Sequence, residues 1–346
     1  MPGGSKAAAA FLTILLLLSG CTAQTIPQTK GVEFVMNTFV EQLWQGEESQ
    51  AAYDEILGAL KALEANFSLY NPTGEISQLN DAAGLKPVSL SGTTYGLLRR
   101  AASLGSDSGG IFDITIAPLT LCWNITGEHS RIPTKAEIDA AKALVDYRDL
   151  IFDDAAQTVM LRRKGMSVDL GGIAKGMAAG AMRPIAEKHG VQGYLSLGGN
   201  MMVVGKKFDG SDWRIGIRNP RGTPNDSIAS VTLEGMTMAT TGDYERYFEE
   251  NGVRYHHVLD PFTGYPSDRG LISVTVISAD GTLADCLSTT IFLEGRDRLN
   301  NYLLRDDCMV LAVTKQMEVY ASPALWEQLS IDYSDPAFSW CRSMQP

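Results

Sequence analysis

Segments with helical periodicity and segments with strand periodicity alternate along the whole chain, and this alternation constrains the fold more than any other feature. Apolar side chains recur at three- and four-residue spacing along residues 53–67, which predicts an amphipathic helix over about residues 49–65 with one buried face. A second helix is predicted where Thr134 and Glu137 have capping-box spacing, and it should extend to about Leu144.

Strands are predicted from apolar or alternating runs between and after these helices. The runs cover residues 194–197, 214–218, 271–277 and 309–314, and the last is expected to form a hairpin with residues 317–320. No internal repeat, low-complexity block or linker interrupts the pattern. We therefore expect an interwoven fold of the α/β (α+β) class, with largely antiparallel mixed sheets packed against helices. Residues 31–346 should form a single domain, with two lobes as an alternative.

Charge excludes one class of function. The 346 residues include 29 Lys and Arg against 40 Asp and Glu, which gives a formal net charge of -11. An extended nucleic-acid surface normally needs a basic stripe, so we expect no nucleic-acid partner. The balance fits an acidic body that recruits a cation.

The N-terminal segment differs from the rest of the chain. Lys6 precedes the apolar run of residues 11–18, which is too short for a membrane span and is typical of a signal peptide over residues 1–20. Leu18-Ser-Gly-Cys21 resembles the lipobox of bacterial lipoproteins, whose cysteine carries the lipid. Residues 21–30 would then be a lipid-anchored tether at the extracytoplasmic, periplasmic side of the cell envelope. The alternative is an ordinary signal peptide with a chance cysteine.

The remaining cysteines are Cys122, Cys286, Cys308 and Cys341, which are scattered and contain no CxxC pair. This spacing indicates neither a zinc site nor a redox motif. One or two disulfides and buried free thiols are equal alternatives for an exported protein.

A glycine pair marks the first segment that could carry chemistry, Val168-Asp-Leu-Gly-Gly-Ile-Ala-Lys-Gly176. It follows a predicted strand at residues 165–168 and opens a helix that should run to about His189. Glycines allow a tight turn and admit an anion close to the main chain at a helix start. Neither a P-loop nor a Gly-x-Gly-x-x-Gly motif is present. A plain strand-to-helix turn is the alternative.

The second segment is Thr282-Leu-Ala-Asp-Cys-Leu-Ser-Thr-Thr290, in which Thr282 and Asp285 have capping-box spacing and predict a helix start. Asp285 and Thr289 are four residues apart and share a helix face. A carboxylate beside a hydroxyl offers hard oxygen ligands, which suit Mg²⁺ better than zinc or copper. Alternatively, Asp285 only caps the helix and Thr289 bonds to its own helix backbone.

The third segment contains the adjacent residues His256 and His257. Neighbouring strand residues point to opposite faces, so one ring can enter a site while the other packs elsewhere. His257 is followed by Asp260, and a histidine near a carboxylate is a candidate proton acceptor. A structural hydrogen bond for each histidine is the alternative. Asp-Pro and Thr-Gly-Tyr-Pro over residues 260–266 predict turns.

Three smaller segments accompany these motifs. Tyr70 lies in a polar, turn-rich stretch and could stack on a planar ring or cover the core. Residues 111–119 are predicted as a strand edge that ends at Pro118, with Asp113 charged among apolar neighbours. Residues 239–248 are predicted as a second polar loop.

In this order, these segments resemble the ApbE family of FAD:protein FMN transferases over about residues 36–295. The resemblance implies a T-fold-like architecture. It also implies Mg²⁺ bound by the side chains of Asp285 and Thr289 and by the Gly172 carbonyl, with His257 as the catalytic base. The implied FAD contacts are Met36, Tyr70, Ile111, Phe112, Asp113, Asp169, Lys175 and Leu259.

The activity implied by the resemblance is cleavage of FAD, transfer of FMN to a Thr or Ser of an exported FMN-binding protein, and release of AMP. A subunit of a sodium-pumping quinone reductase or of an Rnf-type complex would be such an acceptor. A periplasmic FAD pyrophosphatase, a non-catalytic FAD-binding lipoprotein and a structural lipoprotein are the alternatives. The sequence departs from the family pattern at Asn37, Ile111, Thr241 and Ser288, which affects the implied contacts of Met36 and Ile111 more than the metal pair.

Overall fold

Strands and helices alternate in the computed structural model, which describes residues 26–125, 127, 130–332 and 334–342. The helices are α1 (Ser49–Phe67), α2 (Glu75–Asp81), α3 (Gly92–Asp107), α4 (Ala117–Trp123), α5 (Lys135–Lys142), α6 (Ala174–Lys188), α7 (Gly281–Glu294), α8 (Asn300–Leu303) and α9 (Pro323–Trp326). The strands are β1 (Gln28–Val35), β2 (Thr38–Gln45), β3 (Val88–Ser89), β4 (Leu150–Asp153), β5 (Thr158–Leu161), β6 (Gln192–Leu197), β7 (Asn200–Val204), β8 (Arg214–Arg218), β9 (Ser227–Thr232), β10 (Thr237–Gly242), β11 (Tyr247–Glu250), β12 (Val253–His256), β13 (Leu271–Ser278), β14 (Met309–Thr314), β15 (Glu318–Ala321), β16 (Ser330–Ile331) and β17 (Ser339–Cys341).

Within the described ranges, one large sheet has the strand order β1-β2-β6-β7-β10-β13-β14-β15-β17. Two three-stranded sheets, β16-β9-β8 and β3-β5-β4, and the two-stranded ribbon β11-β12 complete the strand pairing. Every pair is antiparallel except β15 with β17. The predicted class, a mixed and largely antiparallel α/β (α+β) fold, is confirmed.

Both faces of the large sheet are covered at its centre. Along β14, Val310 and Ala312 pack into the apolar cluster beneath α7, whereas Leu311 and Val313 pack into the cluster beneath the β16-β9-β8 sheet. Alternate side chains of a strand point to opposite faces, so a strand buried on both faces has a continuous apolar sequence. This explains why β14 shows an apolar run rather than an alternating pattern.

Several predicted elements are confirmed. Helix α1 spans Ser49–Phe67, and α5 begins with the reciprocal capping box of Thr134 and Glu137. The strand prediction holds for β6, β8, β13 and β14, and β14 pairs with β15 as the expected hairpin.

Three local predictions are wrong. Residues 111–116 turn instead of forming a strand, because the Asp113 carboxylate accepts hydrogen bonds from the Thr115 amide and hydroxyl and from the Tyr147 amide. Pro118 then lies in the first turn of α4, where a missing N–H costs nothing. Residues 165–168 form no strand and contribute only an isolated bridge through Ser167. The predicted polar loop at residues 239–248 begins as β10, an interior strand of the large sheet.

The cysteine alternatives are also resolved for the four cysteines that the structure describes. Cys122, Cys286, Cys308 and Cys341 are free thiols, and Cys286 and Cys308 are buried. Across the described residues, no helix is both long enough and apolar enough to cross a membrane. The predicted signal peptide and Cys21 lie outside those residues.

Candidate active site

A pocket of about 340 Å³ brings together every residue that the resemblance implies for FAD contact, metal binding or catalysis. Its walls come from the β1–β2 turn, the loop at residues 111–116, the bend before α6, one face of α7 and the base of the β11–β12 ribbon. The lining includes Met36, Tyr70, Ile111, Phe112, Asp113, Asp169, Gly172, Lys175, His257, Leu259, Asp285 and Thr289.

A wider depression of about 1230 Å³ lies elsewhere on the surface and shares only Ile111 with this pocket. Two of its arginines are already paired, since Arg296 binds Glu318 at 3.2 Å and Arg269 binds Asp260 at 2.5 Å. The smaller pocket is therefore the candidate active site, because it contains a buried carboxylate, a histidine and the glycine bend together.

Two glycines allow α6 and α7 to approach closely at the pocket floor. A Cβ atom on Gly176 would lie 2.1 Å from the Gly281 carbonyl oxygen and 2.5 Å from the Asp285 Cβ. The approach lets the Gly176 amide donate to Asp285 Oδ2 at 2.8 Å. Glycine is required here for backbone contact rather than for an unusual backbone angle.

Asp285 does not cap its helix. The N-cap is Asp280, whose side chain accepts from the Leu283 amide at 3.1 Å, so the predicted capping box at Thr282 is wrong. Asp285 instead lies one turn inside α7, where its Oδ1 also accepts from the side-chain nitrogen Nδ2 of Asn200 at 3.3 Å.

The Asp285 carboxylate is 3% exposed, and within the described chain no Lys, Arg or His side chain pairs with it. Beside it, the Asn200 Oδ1 atom is buried without a hydrogen-bond partner among the described residues. Buried carboxylates in proteins are normally paired or bound to a metal. No group of three or more His, Cys, Asp or Glu among the described residues could hold a metal.

Thr289 follows one turn later on α7. Its hydroxyl lies 3.2 Å from the Thr241 hydroxyl, which in turn lies 2.7 Å from the Ser288 hydroxyl. The neighbouring hydroxyls of Ser288 and Thr290 bond to carbonyls of their own helix, whereas no such bond from Thr289 is found in the described part of the chain. The alternative that Thr289 only bonds to its helix backbone is therefore wrong.

Gly172 lies against the same hydroxyl. A Cβ atom there would lie 3.3 Å from Thr289 Oγ1 and 3.2 Å from the Phe112 ring. The bend is closed by two local bonds, from the Gly171 amide to Asp169 Oδ1 at 2.8 Å and from Lys175 Nζ to the Gly171 carbonyl at 2.7 Å. Helix α6 begins after this bend, at Ala174.

The two adjacent histidines have opposite environments, as predicted. His256 is buried, donates from Nε2 to the Ser267 carbonyl at 2.9 Å and accepts at Nδ1 from the Val258 amide at 3.3 Å. His257 faces the pocket, and its Nδ1 lies 3.2 Å from the Arg246 carbonyl. A carbonyl only accepts, so Nδ1 carries the proton and Nε2 keeps a free lone pair.

The predicted proximity of His257 to Asp260 does not produce a contact. Asp260 binds Arg269 and accepts from the Phe262 amide at 2.8 Å, so it orders the following turn. The His257 ring is open to the pocket, yet protein surrounds it at longer range. This desolvation, together with the positive charges of Arg246 and Lys175, lowers the pKa of His257 to about 3, and the ring is neutral at pH 7.

Apolar and aromatic side chains form the opposite wall. Ile111, Phe112 and Leu259 are buried there, while Tyr70 is 73% exposed at the pocket mouth. Met36 and Asn37 form the two-residue turn between β1 and β2, with φ of 54° and 57°. Such a turn normally favours glycine or asparagine, so Met36 is held in a strained conformation beside the pocket.

The Asp113 carboxylate accepts three hydrogen bonds from protein groups around its loop. Burial raises the pKa of the Asp113 carboxyl, while its hydrogen bonds with Thr115 and Tyr147 oppose that change. The Thr115 hydroxyl also accepts from the Asp146 amide at 2.8 Å. Asp113 therefore fixes the loop that carries Ile111 and Phe112.

The sequence model of the ApbE family matches residues 35–312, which is most of the chain and includes every residue that lines this pocket. The chain belongs to the ApbE family. Among the ApbE relatives, the FAD:protein FMN transferase of Klebsiella pneumoniae (strain 342) is 34% identical over 277 residues, covering 79% of this chain and 85% of the relative. The enzyme of the same name from Treponema pallidum is 32% identical, covering 72% and 73%.

Solved ApbE structures have the same fold. The ApbE protein of Thermotoga maritima superposes with a TM-score of 0.80 at 33% identity, over 87% of this chain and 99% of that one. The flavin transferase ApbE of Vibrio cholerae gives 0.78 at 26% identity, over 88% and 99%. The predicted family is confirmed.

Four features in or beside the pocket were missed by the sequence reasoning. Thr241 was noted only as a departure from the family pattern, and Arg246 was assigned to a surface loop. No motif singles out Asn200, and the contact of Gly176 with Asp285 on α7 joins residues more than 100 positions apart in the sequence. No local pattern indicates such a contact, because it depends on how two helices cross.

Proposed function

We propose that this protein is a magnesium-dependent FAD:protein FMN transferase. The observation that carries the proposal is the buried Asp285 carboxylate, which has no cationic partner in the described structure and lines the same pocket as Thr289, Gly172 and His257. The relatives described above carry the name of this activity.

The residues present fit a magnesium ion. The Asp285 carboxylate, the Thr289 hydroxyl and the Gly172 carbonyl are hard oxygen donors, which Mg²⁺ prefers. The described pocket lining contains five carboxylates but only two cationic side chains, Lys175 and Arg246. An anionic diphosphate would be repelled from such a pocket unless a divalent cation entered with it. When bound, Mg²⁺ supplies charge neutralisation at the diphosphate and at the departing phosphate.

The chain's own groups then serve FMN transfer. His257 Nε2 is the atom that would accept the proton of the acceptor Ser or Thr hydroxyl as its oxygen attacks the FMN phosphorus. A new phosphoester bond forms, the P–O bond between the two phosphates of FAD breaks, and AMP leaves with the electron pair. The depressed pKa of His257 keeps this nitrogen unprotonated at neutral pH, at a cost in basicity.

Tyr70 supports transfer to a protein rather than to water. Its side chain is exposed at the pocket mouth, where a bulky aromatic ring would restrict water over the flavin site and order an acceptor segment. We propose as acceptor a Thr or Ser of an exported FMN-binding protein, such as a quinone reductase or Rnf-type subunit. We further propose that the enzyme is lipid-anchored at Cys21 on the extracytoplasmic side of the cell envelope, which would place both proteins in one compartment.

Incubation of the protein with FAD and Mg²⁺, with and without an FMN-binding acceptor, tests the proposal. Mass spectrometry should detect an FMN mass increment on the acceptor and AMP in equal amount, with little free FMN. Free FMN that forms equally fast with and without acceptor would identify a pyrophosphatase instead. The Asp285→Ala variant should label no acceptor, and unchanged labelling would contradict the metal assignment.

A further inference from the structure

Arg246 lies opposite His257 at the base of the β11–β12 ribbon. Tyr247 and His256 are the last paired residues of the ribbon at this end. Just beyond them, the His257 backbone amide donates to the Arg246 carbonyl at 3.0 Å. Stacked aromatic rings anchor the ribbon. The ring centroids of Phe248 and Tyr255 are 5.2 Å apart, and those of Tyr255 and Trp123 are 5.7 Å apart. Arg246 and His257 are therefore presented to the pocket as one unit.

Most N–H donors of the Arg246 guanidinium have no acceptor in the described structure. One nitrogen donates to the Asn37 carbonyl at 2.7 Å, and no carboxylate of the described chain forms an ion pair with it. The nearest acidic neighbour in sequence, Glu245, pairs instead with Arg218 at 3.1 Å. Since an arginine side chain carries five N–H donors, most of its hydrogen-bonding capacity is available to a ligand.

Lys175, the other cationic side chain that lines the pocket, already has a structural hydrogen bond. Lys175 Nζ is bonded to the Gly171 carbonyl at 2.7 Å and closes the glycine bend. Arg246 is half-buried in the pocket wall, and a planar guanidinium matches the paired oxygens of a phosphate better than an ammonium does.

We propose that Arg246 binds the diphosphate of FAD and, through its own carbonyl, holds His257 in the tautomer with a free Nε2. The inference rests on the proposed function and assigns the phosphate-recognition role to a residue outside the motifs that indicate the family. Its side chain also ties the ribbon to the β1–β2 turn at Asn37, so the substrate phosphate and the proton acceptor are positioned by one residue.

Equilibrium binding of FAD and of riboflavin, which lacks phosphate, tests this role by flavin fluorescence at fixed Mg²⁺. Arg246→Gln should weaken FAD binding by roughly ten- to hundredfold, the usual effect of losing a charge-assisted hydrogen bond. Riboflavin affinity should change by no more than about twofold, because it offers no anion. Arg246→Lys should keep part of the FAD affinity, since the positive charge remains but the paired N–H donors of the planar guanidinium are lost.

Arg254→Gln is the matched control, because Arg254 lies on the same ribbon, pairs with Glu249 and does not line the pocket. It should leave both affinities close to those of the unmodified protein. Unchanged FAD affinity in Arg246→Gln would overturn the inference while leaving the proposed function intact. Equal losses for FAD and riboflavin would also overturn it, since they would indicate a purely structural role. Failure of the unmodified protein to bind FAD would overturn both proposals.

Discussion

The two sides of the pocket are built differently. The junction side, defined by Gly172, Gly176, Asp285 and Thr289, lies where α6 and α7 touch above the large sheet. The rim side, defined by Met36, Arg246 and His257, consists of a two-residue turn and the end of a two-stranded ribbon.

The difference matches the demands of each task. A metal site needs ligands held within a few tenths of an ångström, which packed helices provide and loops do not. A rim that receives a protein substrate must be reachable from solvent, and loops on a rigid scaffold serve that purpose. We therefore expect junction changes to abolish chemistry or loosen the fold, whereas rim changes should alter substrate binding and proton transfer in a folded protein.

The largest effect is expected at the junction from Asp285→Asn. The amide keeps the shape but loses the charge that a cation requires, so FMN transfer to an acceptor should fall by at least about a thousandfold. Asp280→Asn on the same helix is the control, because asparagine caps a helix as well as aspartate does. Equal transfer rates for Asp285→Asn and the unmodified protein would remove the distinction between junction and rim.

His257→Gln should lower the rate of transfer by roughly 10²–10⁴-fold while FAD binding persists. The pH dependence sharpens this rim prediction. Because the pKa of His257 in the folded protein lies at about 3 instead of near 6.5, the ring loses its proton well below neutrality. The kcat/KM for FAD should therefore stay level as pH falls from 7 to 5. A decline centred near pH 6.5 would contradict the lowered pKa, because that midpoint is typical of a histidine base with an ordinary pKa.

Two alanine substitutions on one face of α6 compare helix contact with helix propensity. Gly176→Ala inserts a methyl group 2.1 Å from the Gly281 carbonyl and should reduce the free energy of unfolding by about 2 kcal/mol or more. Gly180→Ala has its nearest atom 4.0 Å away and should stabilise by up to about 1 kcal/mol through helix propensity. Urea unfolding measures both. Similar values for the two variants would show that the junction tolerates separation of the helices.

The smallest effect is expected behind the junction, where His189 at the end of α6 contacts Glu48 at 2.6 Å and Glu55 at 2.7 Å. The hydrogen bonds with Glu55 and Glu48 raise the pKa of His189 above 6.5. A raised pKa means that the stabilisation is complete below pH 6.5 and is lost as pH rises through the folded-state value. His189→Gln should therefore lower the melting temperature more at pH 6 than at pH 9. A pH-independent difference would exclude this ionic contribution.

Much of the fold follows from sequence periodicity. The stripe in α1, the capping box of α5 and the runs in β8 and β14 are local signals, and each element lies where its pattern predicts. The strand prediction for residues 111–116 was wrong because the Asp113 side chain competes with strand pairing for the backbone amides. The loop prediction for residues 239–248 was wrong at its start, where β10 ends. Threonines suit an interior strand as well as a polar loop, so the sequence did not distinguish the two.

The site was predicted in its composition but not in its architecture. The motif residues converge on one pocket, yet the contact between Gly176 and Asp285 and the role of the Arg246 carbonyl are products of tertiary packing. The expected partner of His257, Asp260, is near in sequence but is taken by Arg269. Proximity along the chain is thus a weak guide to pairing at a turn.

The most direct test of the metal assignment is a crystal of the protein with FAD and Mn²⁺ in place of Mg²⁺, because Mn²⁺ gives an anomalous signal. We predict one peak within about 2.3 Å of an Asp285 carboxylate oxygen, the Thr289 hydroxyl and the Gly172 carbonyl, in contact with the diphosphate. A peak elsewhere, or FAD bound in the pocket without a peak at Asp285, would contradict it.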